Sequence, residues 1–182
     1  MTALRQALYS AVSESISEIS NVAVAFSGGV DSSLLAKICH DLRKQVTLVT
    51  VGFSGSHDIH FSKNIASKMR MDHKVYEIDY SDFQENLQYV LQAINCKNTS
   101  HIENCIAYFY ICRLAKQNHL SVVLSANGCD ELFCGYDRYR SVYSGGEAEI
   151  TKLMDNNLDN ELALIREIKI VSTRLEVQVR QP

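Results

Sequence analysis

Apolar positions along the chain fall into two alternating patterns. Short unbroken runs of Val, Ala, Leu and Ile predict buried strands, while apolar residues recurring at three- and four-residue intervals predict helices. A leading helix is expected over 3–19, with Leu4, Leu8, Val12, Ile16 and Ile19 nearly on one face. The run Val22-Ala23-Val24-Ala25-Phe26 predicts a first strand, and a helix over about 31–43 follows, with Leu34, Leu35, Ile38 and Leu42 on one face. A second strand is expected over 46–53, a helix near 58–70 carrying Phe61, Ile65 and Met69, and a short strand near 74–79. Ser81 is placed to cap a helix carrying Phe83, Leu87, Val90, Leu91 and Ile94. After the polar stretch Cys96 to Ser100, a long helix is expected over about 102–118 and a fourth strand over 121–126. The remainder reads as mostly helical, broken at Ser144-Gly145-Gly146 and at the polar Asp155-to-Asn160 stretch. Strands alternating with helices predict an α/β fold with a parallel, doubly wound sheet. In such sheets ligands bind outside the carboxyl ends of the strands, where the strand order reverses.

Two of these strand ends carry the chemistry. The first is Ser27-Gly28-Gly29-Val30-Asp31-Ser32-Ser33. Here a strand runs into a glycine turn that opens a helix, so unpaired N–H groups and the positive end of the helix dipole face an incoming anion. Gly28 and Gly29 remove side-chain bulk, letting a phosphate approach the backbone, and Ser27, Ser32 and Ser33 add hydroxyl donors. Asp31 would repel a phosphate unless a cation lay between them, which points to Mg²⁺ on a polyphosphate. No Lys directly follows the glycines, which excludes the G-x-x-x-x-G-K-[ST] loop of kinases and GTPases. The second site is Asn127-Gly128-Cys129-Asp130-Glu131-Leu132-Phe133-Cys134-Gly135-Tyr136, after the strand Ser121-Val122-Val123-Leu124-Ser125. Asp130 and Glu131 can be read as acids complementing a helix N-terminus. For Asp130, which follows a strand end and a glycine, a Mg²⁺ ligand is the preferred reading.

The string S-G-G-V-D-S-S resembles the signature of the ATP-pyrophosphatase (PP-loop) superfamily. The run G-C-D-E-L-F-C-G-Y is similar to the G-x-D-E-L-F-x-G-Y signature of the synthetase domain of asparagine synthases, and Tyr136, Arg138 and Tyr139 resemble its continuation. The resemblance runs weakly through the whole chain and strongly at these two loops. It implies an adenine nucleotide alpha hydrolase-like fold with a helical C-terminal part, and a carbon–nitrogen ligase type of chemistry. In that chemistry a substrate carboxylate attacks the α-phosphorus of ATP, pyrophosphate leaves, and an amine or ammonia displaces AMP. The implied cofactors are ATP and Mg²⁺. Residues 27–33 would hold pyrophosphate, Asp31 and Asp130 the metal, and Val24, Phe26, Gly52 and Phe53 would line the adenine pocket. Gly128 would approach the nucleotide, and Asn127 and Asp130 would face the reacting groups. Asp58 matches an acidic position of the family and equally fits a helix N-cap. His73 and His101 read as loop residues rather than ligands.

Three departures from the family pattern bear on activity. Met1-Thr2 leads straight into the synthetase-like helix, so a glutaminase domain is not expected within the chain. Nitrogen would then come from ammonia, a substrate amine or a separate glutaminase subunit. Asparagine synthases carry S-G-E-G before the aspartate, whereas this chain has Ser125-Ala126-Asn127-Gly128, and an amide cannot act as a general base. The family's catalytic lysine lies beyond the segment that resembles Leu175 to Pro182, so a C-terminal partner subunit or a truncated domain is an alternative.

Length and composition narrow the classes further. The chain has 182 residues, 46% of them hydrophobic, enough for one sizeable core, and is expected to form a single domain over 1–182. Its net charge of −3 and sequence pI near 6.1 give no basic field for nucleic acid. The apolar runs fall short of a membrane span and no apolar signal core leads the chain, so a cytoplasmic location is expected. The six cysteines form no C-x-x-C pair and read as reduced thiols. Cys129 and Cys134 flank the second loop and support an alternative reading, a sulfur-inserting ATP pyrophosphatase acting on tRNA, in which a low-pKa thiolate would carry sulfur. A non-catalytic nucleotide-binding module is the third reading.

Overall fold

A computed structural model describes residues 2–182. Five parallel strands, β1 (Asn21–Ala25), β2 (Gln45–Phe53), β3 (Asp72–Ile78), β4 (Val122–Leu124) and β5 (Gln178–Arg180), form one sheet in the order β3-β2-β1-β4-β5. The order reverses between β1 and β4, which are direct neighbours with Ala23 opposite Val123 and Val24 opposite Leu124. The doubly wound sheet expected from the alternation is therefore present, with its switch point between the two motif-bearing strands.

Helices cover both faces, which is why the strands read as near-continuous apolar runs. One core packs α1 (Ala3–Ser15), α2 (Val30–Asp41) and part of α3 (His57–Met69) against Val22, Val24, Leu48 and Leu124. The other packs α4 (Tyr80–Ile94), α5 (Thr99–Gln117) and α8 (Glu147–Arg174) against Ala23, Val49, Val123 and Val179. Each fully buried Val, Leu or Ile contributes about 1.5–3 kcal/mol. Two short helices, α6 (Cys129–Phe133) and α7 (Arg138–Val142), connect β4 to α8.

Four local readings need correction. The Asp155-to-Asn160 stretch does not break the chain, and α8 runs through it as a 28-residue helix. The inward positions in and directly after that stretch, Asn157 and Glu161, are polar because they face a polar lobe rather than a core. Asp79, not Ser81, caps α4, accepting from the Ser81 N–H at 2.8 Å. Asp58 lies in the first turn of α3 behind Ser56, which occupies the N-cap position. His73 belongs to β3 and His101 to the first turn of α5, where it is buried. The strand β5 was not anticipated. Its alternation of Gln178, Val179 and Arg180 is too short to register as a period. Tertiary pairing makes it a strand, through Gln178 N–H to Ser121 O at 2.9 Å and Ser125 N–H to Arg180 O at 2.9 Å.

Candidate functional site

The loops after β1 and β4 meet over the carboxyl edge of the sheet and enclose a cleft of about 460 Å³. The first loop is shaped by glycine and serine. Gly28 adopts φ +81° and packs so closely on α3 that a Cβ would lie 3.1 Å from the Phe61 ring and 3.2 Å from Ser62 Cα. A side chain here would strain the backbone and push α3 away. The Ser27 hydroxyl accepts from the Gly29 N–H at 3.2 Å and lies 3.3 Å from Ser32 Oγ. Gly29 is the N-cap of α2 and offers no side-chain capping bond, so the first N–H groups of a 12-residue helix are left for a ligand.

The second loop turns at Gly128, φ +95°, and opens α6. Asp130 then lies in the cleft with Asp31 and Asp58. Burial pushes the Asp130 carboxyl up from its ordinary value, and the negative charges of Asp31 and Glu131 push it further. Any side chain at Gly135, just after α6, would displace Asp130: an added Cβ would sit 1.8 Å from Asp130 Oδ1. The aspartate is thus seated against a bare backbone. Two carboxylates from separate loops sharing one cleft form a donor set suited to a hard divalent cation.

Asn127 is held rather than free. Its Oδ1 accepts from the Tyr108 hydroxyl at 2.8 Å and the Ser125 hydroxyl at 2.7 Å, and its N–H donates to Ser125 Oγ at 3.1 Å. With Oδ1 engaged, the amide nitrogen is the side chain's remaining donor. Beside it stands Glu161, delivered by α8. Burial, and then the charge of Glu131, raise the Glu161 carboxyl above its usual range, while Asn127 partly offsets the rise. Its Oε1 is buried without a hydrogen-bond partner. A polar lobe of about 290 Å³ extends the cleft here and adds Arg138, Asn157 and His101 to its walls. Glu131 itself is only 4% exposed and accepts from the Tyr136 hydroxyl.

The structure brings Phe26, Ser27, Gly29, Asp31, Ser32, Asn127, Gly128 and Asp130 together on the cleft wall. Gly28 and Ser33 support the loop behind it, Ser33 through its hydroxyl to Gly28 O at 3.4 Å. Val30 points to solvent at 81% exposure. Val24 lies wholly in the core on the α1/α2 face. On β2, Val49, Thr50 and Val51 line the cleft instead of Gly52 and Phe53. Phe53 packs edge-to-face on Phe83 at 5.2 Å, and Gly52 lies against Ser56 and Ile59. The Thr50 hydroxyl is fixed between Phe26 O, at 2.6 Å, and His73 Nε2, at 2.8 Å. Sequence reading missed Thr50, Tyr108 and Glu161, and took Glu131 for an acid complementing a helix N-terminus. Thr50 sits inside an apolar run, Tyr108 on a core helix face, and Glu161 directly after a polar stretch taken for a break. The only signal for the last was a carboxylate at an inward helical position.

Comparison with known proteins agrees with this arrangement. The asparagine synthase family model matches residues 3–178. Over 150 residues, 82% of this chain, the sequence is 33% identical to an asparagine synthetase-like protein of Methanocaldococcus jannaschii. It is 25% identical over 143 residues to asparagine synthetase (glutamine-hydrolyzing) 1 of Bacillus subtilis. The chain spans 28% and 22% of those two relatives. Among solved structures, an NH3-dependent NAD synthetase from Campylobacter jejuni superposes with a TM-score of 0.52 at 19% identity, covering 75% of this chain and 61% of that one. That likeness shows the adenine nucleotide alpha hydrolase type of fold. With both signature loops converging at one sheet switch point, the chain belongs to the asparagine synthase family of PP-loop ATP pyrophosphatases.

Proposed function

We propose that the cleft binds Mg·ATP, activates a carboxylate as its adenylate with release of pyrophosphate, and passes the acyl group to an amine or ammonia. The observation that carries this reading is the pairing of Asp31 and Asp130 across the switch point, each beside a helix N-terminus that favours anions. An Asp130 carboxyl pushed up by burial and then by the charge of Asp31 marks a poor resting arrangement and a good cation site. When bound there, Mg²⁺ would neutralise phosphate charge and let the anion approach the aspartates.

The chain's own groups then divide the work. The α2 N–H groups and the Ser27 and Ser32 hydroxyls hold the leaving pyrophosphate and stabilise the charge that develops on it. Phe26, Val49 and Val51 supply the apolar floor for the base. Asn127, locked by Tyr108 and Ser125, presents its amide to the reacting carboxyl group. Arg138 in the polar lobe favours an anionic substrate there. The free Glu161 oxygen, whose carboxyl burial keeps basic, is the acceptor placed to take a proton from the attacking nitrogen, which Asn127 cannot do. Ammonia would arrive from solution or from a glutaminase outside these residues.

The sulfur-inserting alternative has less support. Burial and the charges of Asp31, Asp130 and Glu131 push the Cys129 thiol up, away from a reactive thiolate. Product analysis tests the proposal. Incubation with ATP, Mg²⁺, aspartate and ammonium should give AMP and pyrophosphate, and labelled pyrophosphate should exchange into ATP. Formation of ADP and phosphate would overturn it, as would absence of any Mg²⁺-dependent ATP binding.

A further inference from the structure

On the α4/α5/α8 side of the sheet, away from the paired aspartates, three ligating side chains converge. Cys96 lies in the loop that follows α4, His101 in the first turn of α5, and Glu167 near the middle of α8. Their donor atoms all lie within 4.8 Å of one another. His101 Nδ1 is 2.9 Å from Glu167 Oε2, and the two side chains are only 11% and 18% exposed. From these positions we propose that Cys96 Sγ, His101 Nδ1 and a Glu167 carboxylate oxygen form a zinc site, with water as the fourth ligand.

The chemistry of the set selects the metal. A thiolate, an imidazole and a carboxylate together match Zn²⁺, whereas Mg²⁺ and Ca²⁺ take oxygen donors. Bonds of roughly 2.0–2.3 Å put tetrahedral donors about 3.3–3.8 Å apart. The set closes to that size by a small opening of the His101–Glu167 contact and a turn of the Cys96 side chain. The surrounding backbone already holds the ligands in register. The Asn98 N–H donates to Cys96 Sγ at 3.3 Å, a bond that favours the charged thiolate. The Asn98 side chain caps α5, accepting from Ser100 N–H at 3.1 Å and His101 N–H at 3.5 Å. One residue thus ties the sulfur to the turn that carries the imidazole. Without a cation, the thiolate and the Glu167 carboxylate would repel each other.

The consequence is mechanical. The metal would fasten the α4–α5 loop to α8, the helix that delivers Glu161 to the polar lobe, and His101 itself lines that lobe. The site therefore acts on stability and on the placement of α8, and it stands whether or not the cleft proves to be a ligase.

The experiment uses the whole chain, stripped with a chelator and titrated with Co²⁺ and then with Zn²⁺ against a competing dye. One equivalent of Co²⁺ should produce a thiolate-to-cobalt charge-transfer band that Zn²⁺ abolishes, and Zn²⁺ should raise the melting temperature. Cys96→Ser should remove the band while keeping the native circular dichroism. His101→Gln should weaken Zn²⁺ by more than the roughly 10–100-fold that follows loss of a ligand's supporting hydrogen bond. Cys129→Ser, a thiol beside the cleft carboxylates, should leave band and affinity unchanged. The proposal is overturned if no charge-transfer band forms, or if the band survives Cys96→Ser and disappears in Cys129→Ser.

Discussion

Replacing Gly135 by Ala tests the geometry of the cleft without removing a charged group. The new methyl carbon would start 1.8 Å from Asp130 Oδ1, 2.8 Å from its Cγ and 3.1 Å from its Cα. Ordinary contact begins near 3.4 Å, so the carboxylate must retreat by about 1.6 Å, away from the position it shares with Asp31. A misplacement of about 1 Å at a reacting or ligating group can cost roughly 100-fold. Mg²⁺-dependent nucleotide affinity should therefore fall at least tenfold, or about 1.4 kcal/mol. Stability should barely change. Forcing Asp130 off its rotamer costs about 0.5–1.5 kcal/mol, and replacing Gly by Ala recovers about 0.4–1 kcal/mol from the unfolded chain. Calorimetric titration with a non-hydrolysable ATP analogue, with and without Mg²⁺, measures the first quantity, and thermal melting the second. Gly145→Ala is the control, since its Cβ would meet the side chain of Glu149, outside the residues lining the cleft, at a comparable distance. Unchanged Mg²⁺-dependent affinity in Gly135→Ala, or an equal loss in Gly145→Ala, would refute the reasoning.

Asp31→Ala should abolish Mg²⁺-dependent binding of the same analogue while leaving the far-ultraviolet circular dichroism intact, because the residue is half-buried on the cleft wall and belongs to neither core; retained affinity would remove Asp31 from the metal site. Tyr108→Phe should cost about 1 kcal/mol, or a fall of roughly 2–4 °C in melting temperature for a chain of this size, since Asn127 keeps its bond to Ser125; an unchanged melting temperature would show that the buried hydroxyl adds nothing. Glu161 is held above its ordinary value of 4.5 in the folded state, so in the range just above 4.5 the folded chain binds more protons than the unfolded one, and this group's contribution to stability falls as pH rises. The melting temperature of Glu161→Gln minus that of the parent should therefore grow as pH is raised through that range, and a difference independent of pH would count against the assignment.

The two signature loops were legible because their chemistry is local. A glycine turn between an apolar run and a helix needs only a dozen consecutive residues to be recognised, and Ser27, Gly29, Asp31, Gly128 and Asp130 reached the cleft from that signal. The adenine side was less legible. Adjacent strand residues face opposite sides of the sheet, and that alternation puts Ala25 on the α5 side and Val24 against α1 and α2. At the end of β2 the face is shared and position along the strand decides: Val51 lines the cleft, and Phe53, two residues on, packs on Phe83 beyond it. A run that is apolar on both faces carries no mark of which face is which. Glu161 and Tyr108 were missed, and His101 was taken for a loop residue, for a different reason. Each is an unremarkable member of a long helix until tertiary packing of α5 on α8 decides what stands opposite it.

That packing also explains why the site is built with so much negative charge. Asp31, Asp58, Asp130, Glu131 and Glu161 all line one cleft, and the carboxyls of Asp130 and Glu161 are raised by burial first and then by repulsion from their acidic neighbours. A free nucleotide triphosphate would meet this field as one more anion, and two helix N-termini are worth too little to offset it, about 0.3–1 kcal/mol each at an exposed site. A divalent cation reverses the balance, because each carboxylate then stabilises the complex instead of opposing it. Nucleotide affinity should therefore depend steeply on Mg²⁺, and in its absence ATP should bind more weakly to the parent than to Asp130→Asn, which removes one repelling charge. With Mg²⁺ the order should invert, the parent binding more tightly because it supplies the ligand. Calorimetry on the two chains, each with and without the metal, gives four affinities. If the parent binds more tightly under both conditions, the carboxylates do not act as a cation site, and the reading of this cleft as a Mg·ATP cradle fails.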